Sequence, residues 1–328
     1  MTVAWRNILD LILLVWLLAT VTVGLQSWIG DQTIYAQDLE QQREELHFAI
    51  LTNRAPGGQS WASVGGQSIQ KRVGVVYLAE GLRQVTDLSV GKTYKLLDSF
   101  FLFASLILLF FFLRRWLSET YSLIGVLYFS AMLPLTYFFQ LFHPWDRIQL
   151  AIWIGLLLLV ADRSLVLLAI GMTLGIVVKF DLVVLPFFYF MVHFSRERWR
   201  RVSIETVGLL TLGFATYLLI EQLFPAPLDN SRFTPGATAG MLGANWHALV
   251  NLKVKFPPFL VHALPLLLAF FYLPSKDRFV WTSVVFSCGL SIVFVLFTHY
   301  EEVRAHMIVL VLLLPSALLS LKRIREKV

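Results

Sequence analysis

Long apolar runs alternate with short polar segments along nearly the whole chain. Many of these runs approach the length of about 20 residues that a helix needs to cross a bilayer. The apolar runs cover residues 8–29, 96–113, 120–141, 148–162, 164–178, 181–194, 203–223, 257–273, 279–297 and 307–321. The pattern therefore predicts an all-α polytopic membrane protein with about ten transmembrane helices.

The two short runs at 164–178 and 181–194 admit two interpretations. They flank Lys179-Phe180-Asp181, and a single tilted helix would also fit their combined length. A single helix would, however, place the basic segment 195–201 on the side opposite to the other basic loops. We therefore expect two short spans with a turn at Lys179–Asp181, and we expect Pro186 to kink the second.

The positions of Lys and Arg predict the orientation of the chain. Basic residues in short loops mark the cytoplasmic side of a membrane protein. With ten crossings, all the basic clusters fall on one side: Arg6, Arg114, Arg115, Arg163, 195–201, Lys276, Arg278 and 322–327. Both termini are therefore expected in the cytoplasm. The first apolar run is long and no small-x-small cleavage site follows it, so we interpret it as a retained helix.

The polar segment 30–95 predicts two helices that lie on the extracytoplasmic membrane surface. Residues 33–53 lack Gly and Pro, and their apolar positions form a partial face: Ile34, Leu39, Leu46, Ile50 and Leu51. Glycines near residues 57 and 65 interrupt the chain before a second candidate helix at 68–84.

Composition excludes several functional classes. Hydrophobic residues make up 57% of the chain and charged residues only 15%, against about 25% in soluble domains. The net charge of +6 fits cytoplasmic anchoring, so no nucleic-acid partner is expected. The single Cys288 cannot form a disulfide framework or a thiolate metal site. The glycines at 236–243 match no phosphate-binding motif, so nothing indicates a nucleotide.

Asp31 is the first acidic residue after the first apolar run, so it is expected at the extracytoplasmic membrane face. A carboxylate there could serve as a general base. On a helix that starts near residue 31, Tyr35 would share its face. The alternative is that Asp31 only caps the helix at 32–53, because Asp is a favoured N-cap residue.

The segment 143–147 supplies a second pair of candidates, His143 and Asp146. They could contact an acceptor or help to hold a metal, although one His and one Asp form a weak metal signature. The sequence implies no definite cofactor and leaves a divalent metal open. The alternative is a simple turn, for which Pro144 and Asp146 are well suited.

Cationic residues near the same face are candidates for binding a phosphate. Arg304 can grip a phosphate with two hydrogen bonds, and His299, Glu301 and Glu302 would support it. The alternative is an internal Glu–Arg pair at a helix start. Lys179 and Lys255 are further candidates for an anionic carrier or lipid headgroups, although Lys179 and Asp181 could simply neutralise each other.

This arrangement resembles the C-type (GT-C) glycosyltransferases of membranes, which include protein O-mannosyltransferases and the aminoarabinose transferases of lipid A. In that family a catalytic acid follows the first helix, and a loop with two surface helices comes next. The family motif Asp-Glu-x-x-Tyr corresponds to 31–35, where Asp31 and Tyr35 match and Gln32 stands in the place of Glu. Many members also carry an acid in the second outer loop, where Asp146 lies.

The resemblance covers residues 1–200 and implies a conserved membrane module there, including the loop 30–95, followed by a variable membrane module at 201–328. It implies a polyprenyl-phosphate-linked sugar as donor and Asp31 as general base. A hydroxyl of a glycan, lipid or protein acceptor would attack the sugar on the extracytoplasmic face. The usage of Gln, Trp and Phe separately favours a bacterial inner membrane. Membrane lipids would be the other partners, in a role in the cell envelope.

Other functions fit parts of the pattern. A polysaccharide polymerase or ligase would use a similar donor, but its long loops usually lie between later helices. A transporter or flippase of a lipid-linked or polysaccharide substrate would not need the long first loop. A non-enzymatic assembly protein is a further alternative. Residues 301–304 resemble the Glu-Glu-x-x-x-Arg motif of prenyl-protein proteases, but the spacing is two residues short.

Overall fold

A computed structural model describes most of the chain. The described residues are 3–32, 37–54, 72–137, 145–224, 243–246, 250, 259–271, 277–297 and 303–326. Within these ranges the regular structure is entirely helical, with no strand. The predicted all-α class is therefore confirmed.

Twelve α-helices organise the described residues. They are α1 (Val3–Gln32), α2 (Gln37–Leu51), α3 (Val73–Thr86), α4 (Val90–Leu113), α5 (Glu119–Met132), α6 (Asp146–Ala161), α7 (Leu165–Val178), α8 (Leu185–His193), α9 (Trp199–Leu223), α10 (Leu264–Phe270), α11 (Arg278–Phe297) and α12 (Val303–Arg325). Short 3₁₀ turns at Leu133–Tyr137 and Phe180–Val184 extend α5 and precede α8, and a π-helical turn at Phe259–Ala263 precedes α10. Apart from α2 and α3, these helices overlap the apolar runs from which they were predicted.

Four helices contain segments that are long and apolar enough to cross a membrane: Leu11–Gln32, Val90–Leu113, Trp199–Leu223 and His306–Arg325. Large apolar side chains such as Leu17 and Trp28 on α1, and Ile204 and Leu218 on α9, are more than half exposed. Soluble proteins rarely expose apolar surface on this scale. The exposed faces of α1 and α9 therefore suit contact with lipid, and the protein is a helical membrane protein.

Helix α12 lies at the centre of the bundle. Every residue from Val309 to Leu314 is almost fully buried, and the helix packs against α5, α6, α10 and α11. Its burial on all sides follows from a sequence that is apolar all round, which suits a core helix. Because Arg304 lies in the first turn of α12, the central helix fixes its position.

Basic loops gather at one end of the bundle, which we call the basic end. Arg115 forms a salt bridge with Asp162, and the indole Nε1 of Trp116 donates to Asp277 at 2.8 Å. Arg278 donates to the backbone carbonyl of Met191 at 3.0 Å. The loops after α4, α6 and α8 therefore meet at the same end, as the charge pattern predicts.

Helices α7 and α8 form a hairpin. The helical backbone stops at Lys179, which is extended (φ −160°, ψ 128°). His193, at the end of α8, donates from Nε2 to the carbonyl of Val160 at 2.8 Å, so α8 returns to the basic end from which α7 started. The predicted turn at Lys179–Asp181 is confirmed. The predicted kink is wrong, because Pro186 lies in the first turn of α8, where proline is well tolerated.

Helices α2 and α3 occur where the sequence predicts surface helices, and they pack onto the bundle. Ile50 on α2 and Val75 on α3 are almost fully buried, and both helices contact α4. A buried His47 joins them, because Nδ1 lies 2.9 Å from the hydroxyl of Tyr94 and Nε2 lies 3.1 Å from Oε2 of Glu80. Burial lowers the pKa of His47, which favours its neutral form.

Candidate functional site

Polar side chains converge at the end of the bundle opposite to the basic end. We call this the polar end and define it by Asp31, Lys95, Asp146, Lys179 and Arg304. Helices α4 and α6 both run from the polar end to the basic end, so their first turns lie at the polar end. Four of these five residues are charged candidates predicted from sequence, apart from Lys95, and the fold brings them to one region.

Asp146 lies between two cations. It begins α6, where the positive end of the helix dipole favours a carboxylate. Arg304 donates from Nη1 to Oδ2 of Asp146 at 3.2 Å, and Nζ of Lys179 lies 3.8 Å from Oδ1. All three side chains are less than one quarter exposed, so solvent screens these charges only in part. Three elements that are distant in sequence are therefore joined by one carboxylate.

Gln149 connects this group to Asp181. It lies three residues after Asp146, on the same face of α6. Lys179 donates to its Oε1 at 2.8 Å, and its Nε2 donates to Oδ2 of Asp181. Lys179 also lies 3.7 Å from Asp181. The expected pairing of Lys179 with Asp181 is thus present, but it is one part of a network that also holds Asp146.

Two more arginines add positive charge. The guanidinium of Arg72 lies 4.4 Å from the ring centroid of the buried Trp145, close enough to influence Asp146, Asp181 and Arg304. Arg147 is 95% buried and donates to Oγ1 of Thr136 at 3.1 Å. Counting Arg304 and Lys179, the described cations around these two carboxylates exceed them by two charges. The region is therefore suited to an anion.

A cleft opens beside this network. Its enclosed volume is about 30 Å³, it opens to solvent, and its lining comes from α6, α12 and the 3₁₀ turn that extends α5. The lining residues are Thr136, Asp146, Arg147, Gln149, Leu150, Arg304, Met307 and Ile308. Burial lowers the pKa of Arg304, which precedes the apolar span of α12, to about 10, so it is still protonated at neutral pH. A phosphate in this cleft would meet at least two guanidinium groups.

Asp31 forms a salt bridge with Lys95. Nζ of Lys95 lies 2.6 Å from Oδ1 and 2.8 Å from Oδ2, and the carboxylate side chain is 45% exposed. Asp31 lies within the last turn of α1, so the alternative that it caps the following helix is wrong. A negative charge is disfavoured at a helix C-terminus, and Lys95 offsets that cost.

A second, smaller recess lies between α1 and α4. Its enclosed volume is about 20 Å³, it opens to solvent, and its lining includes Gln26, Lys95, Asp98 and Arg147. Because Arg147 also lines the larger cleft, the two cavities adjoin. Lys95 lines the recess, and Asp146 and Arg304 line the cleft, so the two ion pairs border cavities that share Arg147.

Several predicted site residues lie outside the described residues. These are Tyr35, His143, Lys255, His299, Glu301 and Glu302. The fold brings Asp146, Lys179 and Arg304 into direct contact, and it places Asp31 nearby. Arg304 contacts Asp146, and the alternative of a pair with a neighbouring glutamate lies outside the described residues. Among the described residues, no group of three His, Cys, Asp or Glu could hold a metal ion.

The sequence interpretation missed five contributors: Gln26, Arg72, Lys95, Asp98 and Gln149. Two of them carried a usable signal, because Gln26 and Asp98 interrupt apolar helices, and polar residues inside such helices often mark functional sites. Gln149 also lies one helical turn from Asp146. Comparison of the chain with protein-family models, curated proteins and solved structures gave no significant match, so the function must be argued from these residues.

Proposed function

We propose that the protein is a membrane glycosyltransferase that moves a sugar from a polyprenyl-phosphate donor to an acceptor hydroxyl on the extracytoplasmic face. The observation that carries this proposal is the pair of adjoining cavities at the polar end, where a cationic cleft meets a recess beside an accessible carboxylate. The overall plan would be that of C-type transferases, with ten crossings and cytoplasmic termini.

The cationic cleft suits the phosphate of the donor. Arg304 can offer two parallel hydrogen bonds to phosphate oxygens, and Arg147 lines the same cleft. Asp146 and Gln149 hold Arg304 and Lys179 in place before any ligand binds. Charges arranged in advance in this way stabilise a departing phosphate without reorganisation, which is often the largest catalytic contribution.

Asp31 is better suited than Asp146 to act as the base. Asp146 contacts two cations and is mostly buried, whereas Asp31 contacts Lys95 and is almost half exposed. In the proposed step, the acceptor oxygen forms a bond to the anomeric carbon while the bond from that carbon to the phosphate oxygen breaks. The hydroxyl proton passes to Asp31, and polyprenyl phosphate leaves with the bonding electrons. The sugar is transferred with inversion at the anomeric carbon.

A transporter or flippase of a lipid-linked substrate is the second candidate, and the interior of α11 favours it. Ser283 and Ser287 are fully buried, and their hydroxyls have no hydrogen-bond partner among the described residues. Oγ of Ser291, one helical turn further along α11, lies 2.6 Å from Nε2 of His262. Such an internal line of polar groups would suit a path through the bundle, although the described charged candidates all lie at the polar end.

The test is turnover of a panel of polyprenyl-phosphate sugars by the purified protein, measured as release of free polyprenyl phosphate. Asp31→Asn should bind donor but consume it about 10²–10⁴-fold more slowly, since that is the usual contribution of a general base. Asp162→Asn is a matched control, because Asp162 is an equally exposed carboxylate in a salt bridge at the basic end. Its turnover should equal that of wild type.

Three other outcomes would contradict part or all of this proposal. Equal turnover by Asp31→Asn and wild type would remove Asp31 from the reaction and make Asp146 the next candidate. Donor binding without consumption, together with movement of donor across proteoliposome membranes, would replace the transferase with the transporter. A folded wild-type protein that binds no donor of the panel would refute both.

A further inference from the structure

The recess between α1 and α4 contains a polar side chain that the proposed reaction does not use. Gln26 is 97% buried, and neither atom of its amide has a hydrogen-bond partner among the described residues. It lies on a helix that is otherwise apolar enough to cross a membrane. A buried amide normally has partners, so an unsatisfied one indicates that something else occupies the space beside it.

The lining of the recess has a distinct chemistry. Besides Gln26 it includes the carboxylate of Asp98 and the hydroxyls of Ser27 and Ser99, with Val23 and Leu102 as apolar surfaces. An amide both donates and accepts, a carboxylate accepts, and a hydroxyl does both. Lys95 and Arg147 complete the lining, so the recess, like the neighbouring cleft, has two cations and one carboxylate. Its amide and two hydroxyls also suit neutral groups that donate and accept.

The positions of these groups follow from helix geometry. Gln26 precedes Asp31 by five residues, so it lies about 7.5 Å deeper along α1. On α4, Asp98 and Ser99 follow Lys95 by three and four residues, so they share its face. The Asp31–Lys95 pair therefore lies at the outer rim of the recess, and Gln26 and Asp98 lie deeper.

We infer that this recess is a carbohydrate-binding subsite in which Gln26 and Asp98 hydrogen-bond the hydroxyl groups of a sugar ring. The recess is narrow, so it receives the hydroxyl edge of a ring whose body lies across the mouth. Arg147, shared by both cavities, then lies between the sugar and the phosphate of one ligand. The inference rests on the proposed function as far as the sugar's lipid carrier is concerned. The recognition of sugar hydroxyls is argued from the lining of the recess alone.

The occupant could also be ordered water, which would satisfy the same groups. Two features favour a sugar. The recess opens beside a cleft suited to phosphate. Its polar lining lies on two helices that are apolar enough to cross a membrane, where Gln and Asp cost free energy.

The test is saturation-transfer NMR with the full-length protein in a detergent that has no sugar headgroup. The probes are the methyl glycosides of glucose, galactose, mannose and N-acetylglucosamine. At least one should receive magnetisation from wild type, and its affinity should fall roughly tenfold or more in Gln26→Leu, as expected for the loss of one or two hydrogen bonds. Gln84→Leu, which changes an exposed glutamine on α3, should bind as wild type does.

Thermal unfolding of the same variants separates binding from folding. Because Leu removes an unsatisfied amide from an apolar helix, Gln26→Leu should unfold at the same temperature as wild type or higher. No glycoside binding by wild type, or unchanged binding by Gln26→Leu, would overturn the subsite and leave only water there. Glycoside binding that depends on Gln26, without release of polyprenyl phosphate from any donor, would keep the subsite and refute the transferase.

Discussion

At the scale of single residues, the site depends on which charges meet. The sequence could identify Asp31, Asp146, Lys179 and Arg304, because isolated charges beside apolar runs are conspicuous and costly. It could not predict that Arg304 contacts Asp146, since 158 residues separate them and only the folded bundle joins them. Gln149 was missed because a neutral amide carries no charge signal, although its two hydrogen bonds hold Lys179 and Asp181 together.

The contact between Asp146 and Arg304 predicts coupled effects of mutation. Removal of one partner leaves a mostly buried charge uncompensated, so Asp146→Asn should lower the free energy of unfolding by about 2–4 kcal/mol. Arg304→Gln should cost less, because Lys179 still lies 3.8 Å from Asp146. If the two groups stabilise each other, the double variant should lose clearly less than the sum, by at least about 1 kcal/mol. Unfolding in detergent, followed by circular dichroism, measures all three variants, and strictly additive losses would contradict the pairing.

At the scale of helices, periodicity and apolar length predicted most elements and few of their contacts. The turn at Lys179 was predictable, because a lysine and an aspartate interrupt two short apolar runs. The end of α1 was not. The helix continues through Gly30 and Asp31 to Gln32, although glycine disfavours helix, and Lys95 compensates the carboxylate. The packing of α2 and α3 onto α4 also depends on distant residues such as Tyr94.

The close approach of α3 to α7 gives a sharp test of this packing. A Cβ atom at Gly74 would lie 2.9 Å from the side chain of Val177 and 3.0 Å from its carbonyl oxygen, so Gly74→Ala should destabilise the protein by about 1–3 kcal/mol. Gly81, on the same helix, has no atom within 4 Å of such a Cβ. Gly81→Ala should be neutral or stabilising by up to about 1 kcal/mol. Equal melting temperatures for the two variants would show that α3 does not pack against α7 in this way.

At the scale of the whole molecule, the chain has two chemically different ends. The structure brings the basic loops together at one end, as the distribution of Lys and Arg predicts, and brings the candidate site to the other. The sequence could predict this division because each crossing exchanges sides. It could not predict the two adjoining cavities, because their walls combine α1, α4, α6, α12 and the 3₁₀ turn that extends α5.

The proposed orientation places the polar end outside the cytoplasm. In a Cys288→Ala background, Thr86→Cys places a thiol beside α4 at the polar end, and Ser118→Cys places one at the basic end. A membrane-impermeant maleimide applied to right-side-out vesicles should label Thr86→Cys directly and Ser118→Cys only after permeabilisation. The reverse pattern would invert the orientation, and equal access of both thiols would contradict a separation of the two ends by the membrane.

The most direct test of the proposed function is binding of undecaprenyl phosphate to the purified protein, measured by native mass spectrometry. Wild type should retain the lipid, and Arg304→Gln should bind it about 10–100-fold more weakly, as expected for the loss of a charge-assisted contact with phosphate. Arg163→Gln is the control, because Arg163 forms a 3.3 Å pair with Glu205 at the basic end, close to the 3.2 Å pair of Arg304 with Asp146. Lipid binding that is lost only in Arg304→Gln would support a phosphate site in the cleft. Equal binding by all three proteins would contradict it.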